Sequence, residues 1–104
     1  MSGDFLTGVC RALSHPARRA LLQALGRGEC DVGGLSAGLD LDQPTVSKNL
    51  ATLRRAGLVH ARVDGRRRCY SLAHEETLRP LLALLTELES REAGQGPDAA
   101  SGGS

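Results

Sequence analysis

Basic side chains are concentrated in one quarter of this chain, between residues 43 and 68. The segment holds seven lysines and arginines against one acidic residue, whereas the remaining residues hold six basic and eleven acidic side chains. A positively charged segment in an otherwise acidic domain attracts polyanions such as the phosphate backbone of nucleic acids. The segment is therefore the first candidate for a functional surface, and its chemistry would be the binding of phosphate groups.

Hydrogen-bonding side chains occupy the start of the basic segment, within a pattern typical of a helix. Val46, Leu50 and Leu53 recur at helical spacing and would face a core. A shorter predicted helix and a turn precede this helix, which gives the pair the proportions of a helix-turn-helix motif. In that motif the first turns of the second helix reach base edges in the major groove. The residues predicted to contact bases are Gln43, Thr45, Ser47, Lys48 and Asn49.

Four arginines then lie near the tip of a predicted β-hairpin. Asp64 and Gly65 separate two runs of strand-forming residues, and an Asp-Gly pair favours a tight two-residue loop. With that loop Arg62 lies directly opposite Arg67, and like charges in such a position destabilise the ladder unless an anion lies between them. The arginines predicted to contact phosphate groups or a minor groove are Arg62, Arg66, Arg67 and Arg68.

The rest of the chain must position these two elements, and its pattern is mainly helical. Helices are predicted at residues 4–13, 17–25, 31–39, 43–56 and 77–91, and strands at 58–63 and 66–72. Predicted N-caps are Asp4, Asp31 and either Asp42 or Gln43. The sequence therefore predicts a mainly α (α+β) domain over residues 1–92, with about five helices and a two-stranded hairpin. The Gly/Ser/Ala-rich segment 93–104 is predicted to be a disordered tail.

Apolar residues at helical spacing also predict which faces of the other helices are buried. In the second and third helices the predicted inward residues are Leu21, Leu22, Leu25, Leu35 and Leu39. In the first helix the predicted inward residues are Phe5, Leu6, Val9 and Leu13. In the last helix they are Leu78, Leu81, Leu85 and Leu88. Both stripes are made of residues that would otherwise contact water, so each helix needs a neighbour that covers it.

Composition excludes several classes of protein. A chain of 104 residues forms one domain, and without tryptophan its core must consist of leucine, valine and alanine. No apolar run is long enough to cross a membrane, and the N-terminus lacks the pattern of a signal peptide. Three cysteines without a Cys-x-x-Cys motif argue against a secreted disulfide scaffold. No spacing of catalytic residues, phosphate loop or cofactor motif appears, so we expect a cytoplasmic protein that is not an enzyme.

A family resemblance becomes specific at residues 41–72, LDQPTVSKNLATLRRAGLVHARVDGRRRCYSL. This stretch resembles the recognition helix and wing of the ArsR/SmtB family of bacterial winged-helix regulators, whose signature is TVSxxLxxLRxAGLV, a basic wing with glycine, and YxL. The upstream stretch ALSHPARRALLQAL at residues 12–25 resembles the second helix of that family. The resemblance is continuous and covers about 70 of the 104 residues.

The resemblance implies a winged helix-turn-helix homodimer whose first and last helices form the interface. It also implies binding to double-stranded DNA at an imperfect inverted repeat, usually as a repressor that an inducer releases. The recognition-helix and wing residues that it implies are those already derived from the pattern. To these it adds Arg54, with Arg55 beside it, as a phosphate contact further along the recognition helix.

The resemblance implies a metal site on the last helix. Alignment on Tyr70 and Leu72 assigns three residues that can bind a metal, namely His74, Glu76 and Glu87. Glu76 and Glu87 are eleven residues apart, which is about 16 Å along a helix, so one chain cannot bring both to one ion. An antiparallel pair of last helices can do so across a dimer interface. Imidazole and carboxylate ligands suit Ni²⁺ or Zn²⁺ better than soft ions.

The family's second metal position departs from its pattern here. Where the family carries a cysteine on the third helix, this chain has Asp31, and Cys30 comes one residue early. That departure counts against a thiolate-rich site for a soft metal. Cys10 on the first helix could still approach Cys30, which leaves a thiol sensor as an alternative.

Three interpretations therefore remain open at this stage. The first is a regulator whose DNA affinity responds to Ni²⁺ or Zn²⁺ through the last helix. The second is a regulator of the same fold that responds through Cys10 or Cys30 or to no small ligand. The third is a winged-helix module whose main partner is another protein, which the clustered arginines argue against.

Overall fold

The computed structural model describes residues 2–103, with side chains from residue 4 to residue 94. The order of elements is α1 Ser2–Leu13, α2 Pro16–Gly26, β1 Cys30–Asp31, α3 Val32–Leu39, α4 Gln43–Arg55, β2 Val59–Asp64, β3 Arg67–Leu72 and α5 Glu75–Gly103. Four helices, then a β-hairpin and then a fifth helix confirm the predicted winged helix-turn-helix architecture. None of the described helices is long and apolar enough to span a bilayer.

Two aspartates begin the helices of the helix-turn-helix motif. Asp31 accepts a hydrogen bond from the Gly34 backbone N–H at 2.8 Å, and Asp42 accepts one from the Thr45 N–H at 3.3 Å. These bonds satisfy N–H groups that have no partner within the helix. The predicted Asp31 cap is confirmed, and of the two candidates for α4 it is Asp42 that caps. The predicted Asp4 cap is wrong, because α1 already begins at Ser2.

A third strand joins the hairpin. β1 pairs antiparallel with β3, with Cys30 opposite Tyr70 and Asp31 opposite Cys69, so the strand order is β1-β3-β2. The sequence predicted only two strands, because two residues are too few to show an alternating pattern. This short strand connects the entry to α3 with the wing, which is the name used below for the hairpin of β2 and β3.

The register of the hairpin differs from the predicted one. Asp64 pairs with Arg67, and Arg62 pairs with Cys69 instead of Arg67. The loop consists of Gly65 and Arg66, and Gly65 has φ +65°, a left-handed conformation that glycine adopts without steric cost. The observed register puts opposite charges across the ladder where the predicted one put two arginines, which is the more favourable arrangement.

The core lies between α2, α3, α4, the sheet and the start of α5. Its fully buried side chains are mostly leucines, namely Leu21, Leu22, Leu25, Leu50, Leu53 and Leu58, together with Val46. The predicted inward faces of α2, α3 and α4 are therefore confirmed. The stripes of the terminal helices are confirmed only in part, because Phe5, Leu6 and Leu88 are exposed. The outer ends of α1 and α5 extend beyond the core that the other elements build.

The last helix is longer than predicted at both ends. It begins at Glu75 instead of residue 77, because the backbone carbonyl of His74 accepts the first helical hydrogen bonds from Thr77 and Leu78. Pro80 is therefore the sixth residue of α5, where it cannot donate to the carbonyl of Glu76. The helix also continues through residues 93–103, for which composition predicted disorder. A helix can extend without tertiary contacts, so the domain boundary at residue 92 stays a prediction.

Candidate nucleic-acid interface

Helix α4 presents a polar face on the side opposite its core contacts. Val46, Leu50 and Leu53 are completely buried, which fixes the rotation of the helix about its axis. Of the predicted base-contacting residues, Gln43, Ser47 and Lys48 are exposed, whereas Thr45 and Asn49 are half-buried. The Asn49 amide donates to the Thr45 carbonyl at 2.9 Å, so this side chain lies along its own helix. The exposed three are therefore the side chains that can reach a bound partner without rearrangement.

A cleft between α4 and the wing collects three arginines. It is lined by Arg54 and Arg55 from the last turn of α4, by Arg68 and Tyr70 from β3, and by two small residues of α4, Ser47 and Ala51. Arg68 and Tyr70 share the face of β3 that is turned towards α4, because side chains two residues apart in a strand point the same way. The cleft thus combines positive charge from two elements that the sequence analysis treated separately.

Several basic side chains of this surface have no acidic partner. Within the described residues, no ion pair involves Lys48, Arg54, Arg55, Arg66 or Arg68. Arg55 makes one polar contact, from its guanidinium to the Thr52 hydroxyl at 3.4 Å. Uncompensated charge on one surface creates a field that attracts an anionic polymer and orients it. These five residues and the exposed polar face of α4 are called the basic surface below.

The other two wing arginines are neutralised. Arg62 donates two hydrogen bonds of 2.7 Å to the two carboxylate oxygens of Glu29, and the Arg67 Nε lies 3.0 Å from Asp31 Oδ2. The hydrogen bond from Arg62 lowers the pKa of Glu29 below its ordinary value and raises the pKa of Arg62. The pKa of Asp31 is also lowered, mainly by the hydrogen bond from the Gly34 N–H and to a smaller extent by the one from Arg67. Sequence analysis missed both acids, because they precede their arginines by 33 and 36 residues.

Of the predicted metal ligands, His74 lies just before α5, whereas Glu76 and Glu87 lie on it. His74 precedes the helix with φ +52°, is exposed, and its ring meets that of Phe5 edge to face at 5.7 Å. Glu76 is exposed in the first turn, whereas Glu87 lies three turns further on and pairs with Arg91 at 3.3 Å. No three histidine, cysteine, aspartate or glutamate side chains of the described chain are close enough to hold a metal ion. As predicted from the spacing, a single chain does not bring the three residues together.

The two cysteines of the predicted thiol sensor lie on elements with different neighbours. Cys10 is exposed on α1, which packs against α2, whereas Cys30 is half-buried on β1, which packs against α3 and β3. The Cys30 sulfur lies only 2.6 Å from where a Cβ at residue 34 would be, so Gly34 leaves the space that this side chain fills. The third cysteine, Cys69, is a buried residue of β3 in the wing. The structure does not bring Cys10 and Cys30 into a common site.

Comparison with known families and sequences gives consistent matches. A family model described as a helix-turn-helix domain matches residues 13–62. The chain is 43% identical over 76 residues to a biofilm growth-associated repressor of Agrobacterium fabrum, which is 73% of this chain and 65% of that protein. It is 44% identical over 81 residues to the HTH-type transcriptional regulator CmtR of Mycobacterium tuberculosis, covering 78% of this chain and 69% of that protein. The chain thus spans about two thirds of the length of these relatives.

Comparison with solved structures points the same way. The homodimeric winged helix-turn-helix DNA-binding domain of a possible ArsR-family transcriptional regulator from Mycobacterium bovis, solved by NMR, superimposes with a TM-score of 0.76. Its sequence is 30% identical, and the match covers 90% of this chain and 86% of that domain. The likeness extends over both the helix-turn-helix motif and the terminal helices.

Proposed function

Because the chain belongs to the ArsR/SmtB family of winged helix-turn-helix transcriptional regulators, we propose that it binds DNA sequence-specifically as a homodimer on an inverted-repeat operator. Family membership indicates a regulator and not an enzyme. In the proposed complex the N-terminal turns of α4 enter the major groove, and the wing contacts the adjacent backbone or minor groove.

The observation that carries this proposal is the basic surface. Exposed Gln43, Ser47 and Lys48 offer hydrogen bonds to base edges, while arginines from α4 and β3 line one cleft beside them. Base contacts give specificity and phosphate contacts give register and affinity, so a DNA-binding surface needs both kinds side by side. Here the buried face of α4 and the strand pairing of the wing hold both kinds on rigid elements.

The terminal helices support the homodimer. Leu6 of α1 and Leu84 and Leu88 of α5 are each about 60% exposed, although all three are large apolar side chains. Apolar residues grouped on helices that the chain's own core leaves uncovered are typical of a surface that a second subunit buries. A two-fold dimer would present two α4 helices to two half-sites about 34–36 Å apart on one face of the DNA.

Fluorescence anisotropy with DNA from upstream of the chain's own gene tests this proposal. We expect Arg66→Ala/Arg68→Ala to weaken binding at least tenfold and to reduce the salt slope by about two units, because two phosphate contacts are lost. The control Arg79→Ala/Arg91→Ala removes the same charge from α5 and should leave the slope unchanged. Equal loss in both variants, or no binding by the wild type, would count against DNA binding and favour the protein-interaction module.

We further propose that Ni²⁺ or Zn²⁺ modulates this binding through His74 and Glu76 of one subunit and Glu87 of the other. Two observations support the proposal: the His74 ring is exposed ahead of α5, and Glu76 follows it within the first turn. An antiparallel pair of α5 helices would bring the partner's Glu87 near them, exchanging its present ion pair with Arg91 for the metal. Metal binding would then bias the dimer geometry on which DNA affinity depends.

Metal titrations of the purified dimer on the same DNA test the metal site. A tenfold or larger change in affinity between chelator and added Ni²⁺ or Zn²⁺, lost in His74→Ala, is the expected result. A response that instead disappears in Cys10→Ser or Cys30→Ser would favour thiol sensing. DNA binding that ignores both metals and both cysteine variants would leave a regulator of this fold without a small ligand.

A further inference from the structure

The wing has two faces with opposite electrostatic character. On the face turned towards α4, Arg68 has no acidic partner in the described residues. On the opposite face, Arg62 and Arg67 lie beside an acidic pair, Glu29 and Asp31, on and next to β1. The opposite face carries more arginines, yet only the face turned towards α4 adds net positive charge to the basic surface.

The acidic pair is fixed by backbone structure and not only by the arginines. Asp31 is a member of β1, and its other carboxylate oxygen accepts the Gly34 N–H that begins α3. Glu29 comes two residues earlier, and both of its oxygens accept hydrogen bonds from Arg62. Strand pairing puts Asp31, Cys69 and Arg62 in one row across the sheet. Strand pairing therefore brings acidic and basic residues to the same face of the sheet, where the side chains form the pairs Arg62–Glu29 and Arg67–Asp31.

Cys69 lies between charged residues on this face of the sheet. Its side chain is only 5% exposed. Its neighbours in register are Asp31 on one side and Arg62 on the other. The hydrogen bonds to Glu29 and Asp31 thus hold the ends of Arg62 and Arg67 beside the first strand.

We propose that Glu29 and Asp31 keep Arg62 and Arg67 from contacting DNA phosphates and so weaken binding to arbitrary DNA. The proposal rests on the proposed DNA-binding function. Phosphate contacts made by lysine and arginine supply most of the affinity for arbitrary DNA but carry no sequence information. Neutralising two of the wing arginines lowers that affinity, so binding to an operator depends more on the contacts of α4 with bases.

Neutralising the acids would free the arginines, because both guanidinium groups lie at the surface. The Arg62 and Arg67 side chains are about 60% exposed and are held by their hydrogen bonds to the acids. If the acids lose their charge, each guanidinium can reach a phosphate group. Asparagine at position 31 would still cap α3, because its side-chain oxygen accepts a backbone N–H as well as aspartate does. Charge can therefore be removed without removing the cap.

The test compares Glu29→Gln/Asp31→Asn with the wild type on a random-sequence 30-base-pair duplex over a range of salt concentrations. We expect the salt slope to become steeper by about two units and binding at 0.15 M salt to become roughly tenfold tighter, because two more phosphate contacts form. A triple variant that adds Arg62→Gln, and a quadruple one that also adds Arg67→Gln, should return the slope to the wild-type value in two steps.

The matched control is Glu89→Gln/Glu92→Gln. It changes the net charge equally and removes two exposed carboxylates of α5 that form no ion pair among the described residues. If the control steepens the slope as much as the test variant, or if the test variant leaves it unchanged, the inference is overturned while DNA binding stands. If the wild type binds no duplex at all, the proposed function fails together with it.

Discussion

The half of the molecule that carries the basic surface and the half formed by the terminal helices differ in how completely a single chain buries their apolar side chains. Around α2, α3, α4 and the sheet, the inward side chains are almost wholly buried, and both helices of the motif have aspartate caps. On α1 and the outer part of α5, large apolar side chains remain exposed. The first half therefore buries its apolar side chains within a single chain, whereas the apolar side chains of the second half are buried only when another molecule covers them.

This difference indicates which part of the molecule can rearrange and which part is rigid. A rigid helix-turn-helix unit keeps the polar face of α4 and the wing in a fixed relation, which DNA recognition requires. The terminal helices instead present a surface whose packing depends on a second molecule, so a ligand bound there can alter the relation between two DNA-binding units without distorting either.

The largest effect on stability is expected in the half that contains α4. Leu50 is completely buried on α4, so Leu50→Ala should lower the free energy of unfolding by about 3–4 kcal/mol through lost burial and a residual cavity. Leu84→Ala truncates an equally large side chain that is 62% exposed in a single chain, and should cost the monomer below about 1 kcal/mol. Urea denaturation at a protein concentration below the dimer dissociation constant measures both. Equal costs for the two variants would show that α5 is as well packed as α4 and would remove the contrast.

A smaller but specific effect is expected on assembly. Leu84→Glu/Leu88→Glu should raise the dimer dissociation constant at least about 100-fold, because it buries charge in an apolar interface. Sedimentation velocity measures the change, and circular dichroism should show retained helicity. Ala83→Glu/Ser90→Glu places the same charges on a neighbouring face of α5 and serves as the control. Dissociation by the control alone would mean that the interface uses a different face.

The smallest effect is expected from acid. The folded-state pKa values of Glu29 and Asp31 lie below their ordinary values, so their ion pairs stabilise the folded state fully above the unfolded pKa values. That contribution is lost as the pH falls from about 4.5 through the folded pKa values. Urea denaturation as a function of pH should therefore show a flatter acid limb for Glu29→Gln/Asp31→Asn. Glu75→Gln/Glu87→Gln, which removes two helix-surface pairs of α5, should leave that limb as in the wild type.

Local signals in the sequence were enough to predict the fold. Helical spacing of leucines predicted the buried faces of α2, α3 and α4, and aspartate caps predicted where α3 and α4 begin. Each of these signals involves residues within a few positions of one another, so one sequence contains the whole interaction. The resemblance to a known family added the order of elements and the homodimer that a relative forms.

Features that depend on distant residues could not be predicted in the same way. The sequence allows either Asp64 or Arg66 to join Gly65 in the loop of the hairpin, and in the structure it is Arg66, which leaves Asp64 opposite Arg67. The short strand β1 has no pattern of its own and exists only because β3 pairs with it. The role of Glu29 depends on the same pairing, since its partner Arg62 lies on another element. Four arginines at the wing therefore looked equivalent in sequence but are not equivalent in space.

The pairing of β1 with β3 also orders events during synthesis of the chain. Cys30 and Tyr70 face each other although they are forty residues apart. At about 5–20 residues per second, the ribosome adds β3 roughly 2–8 s after β1. The bond from Asp31 to Gly34 spans only three residues and can form as soon as α3 emerges. For several seconds, then, a nascent chain carries a capped α3 and two carboxylates whose arginine partners have not yet been added.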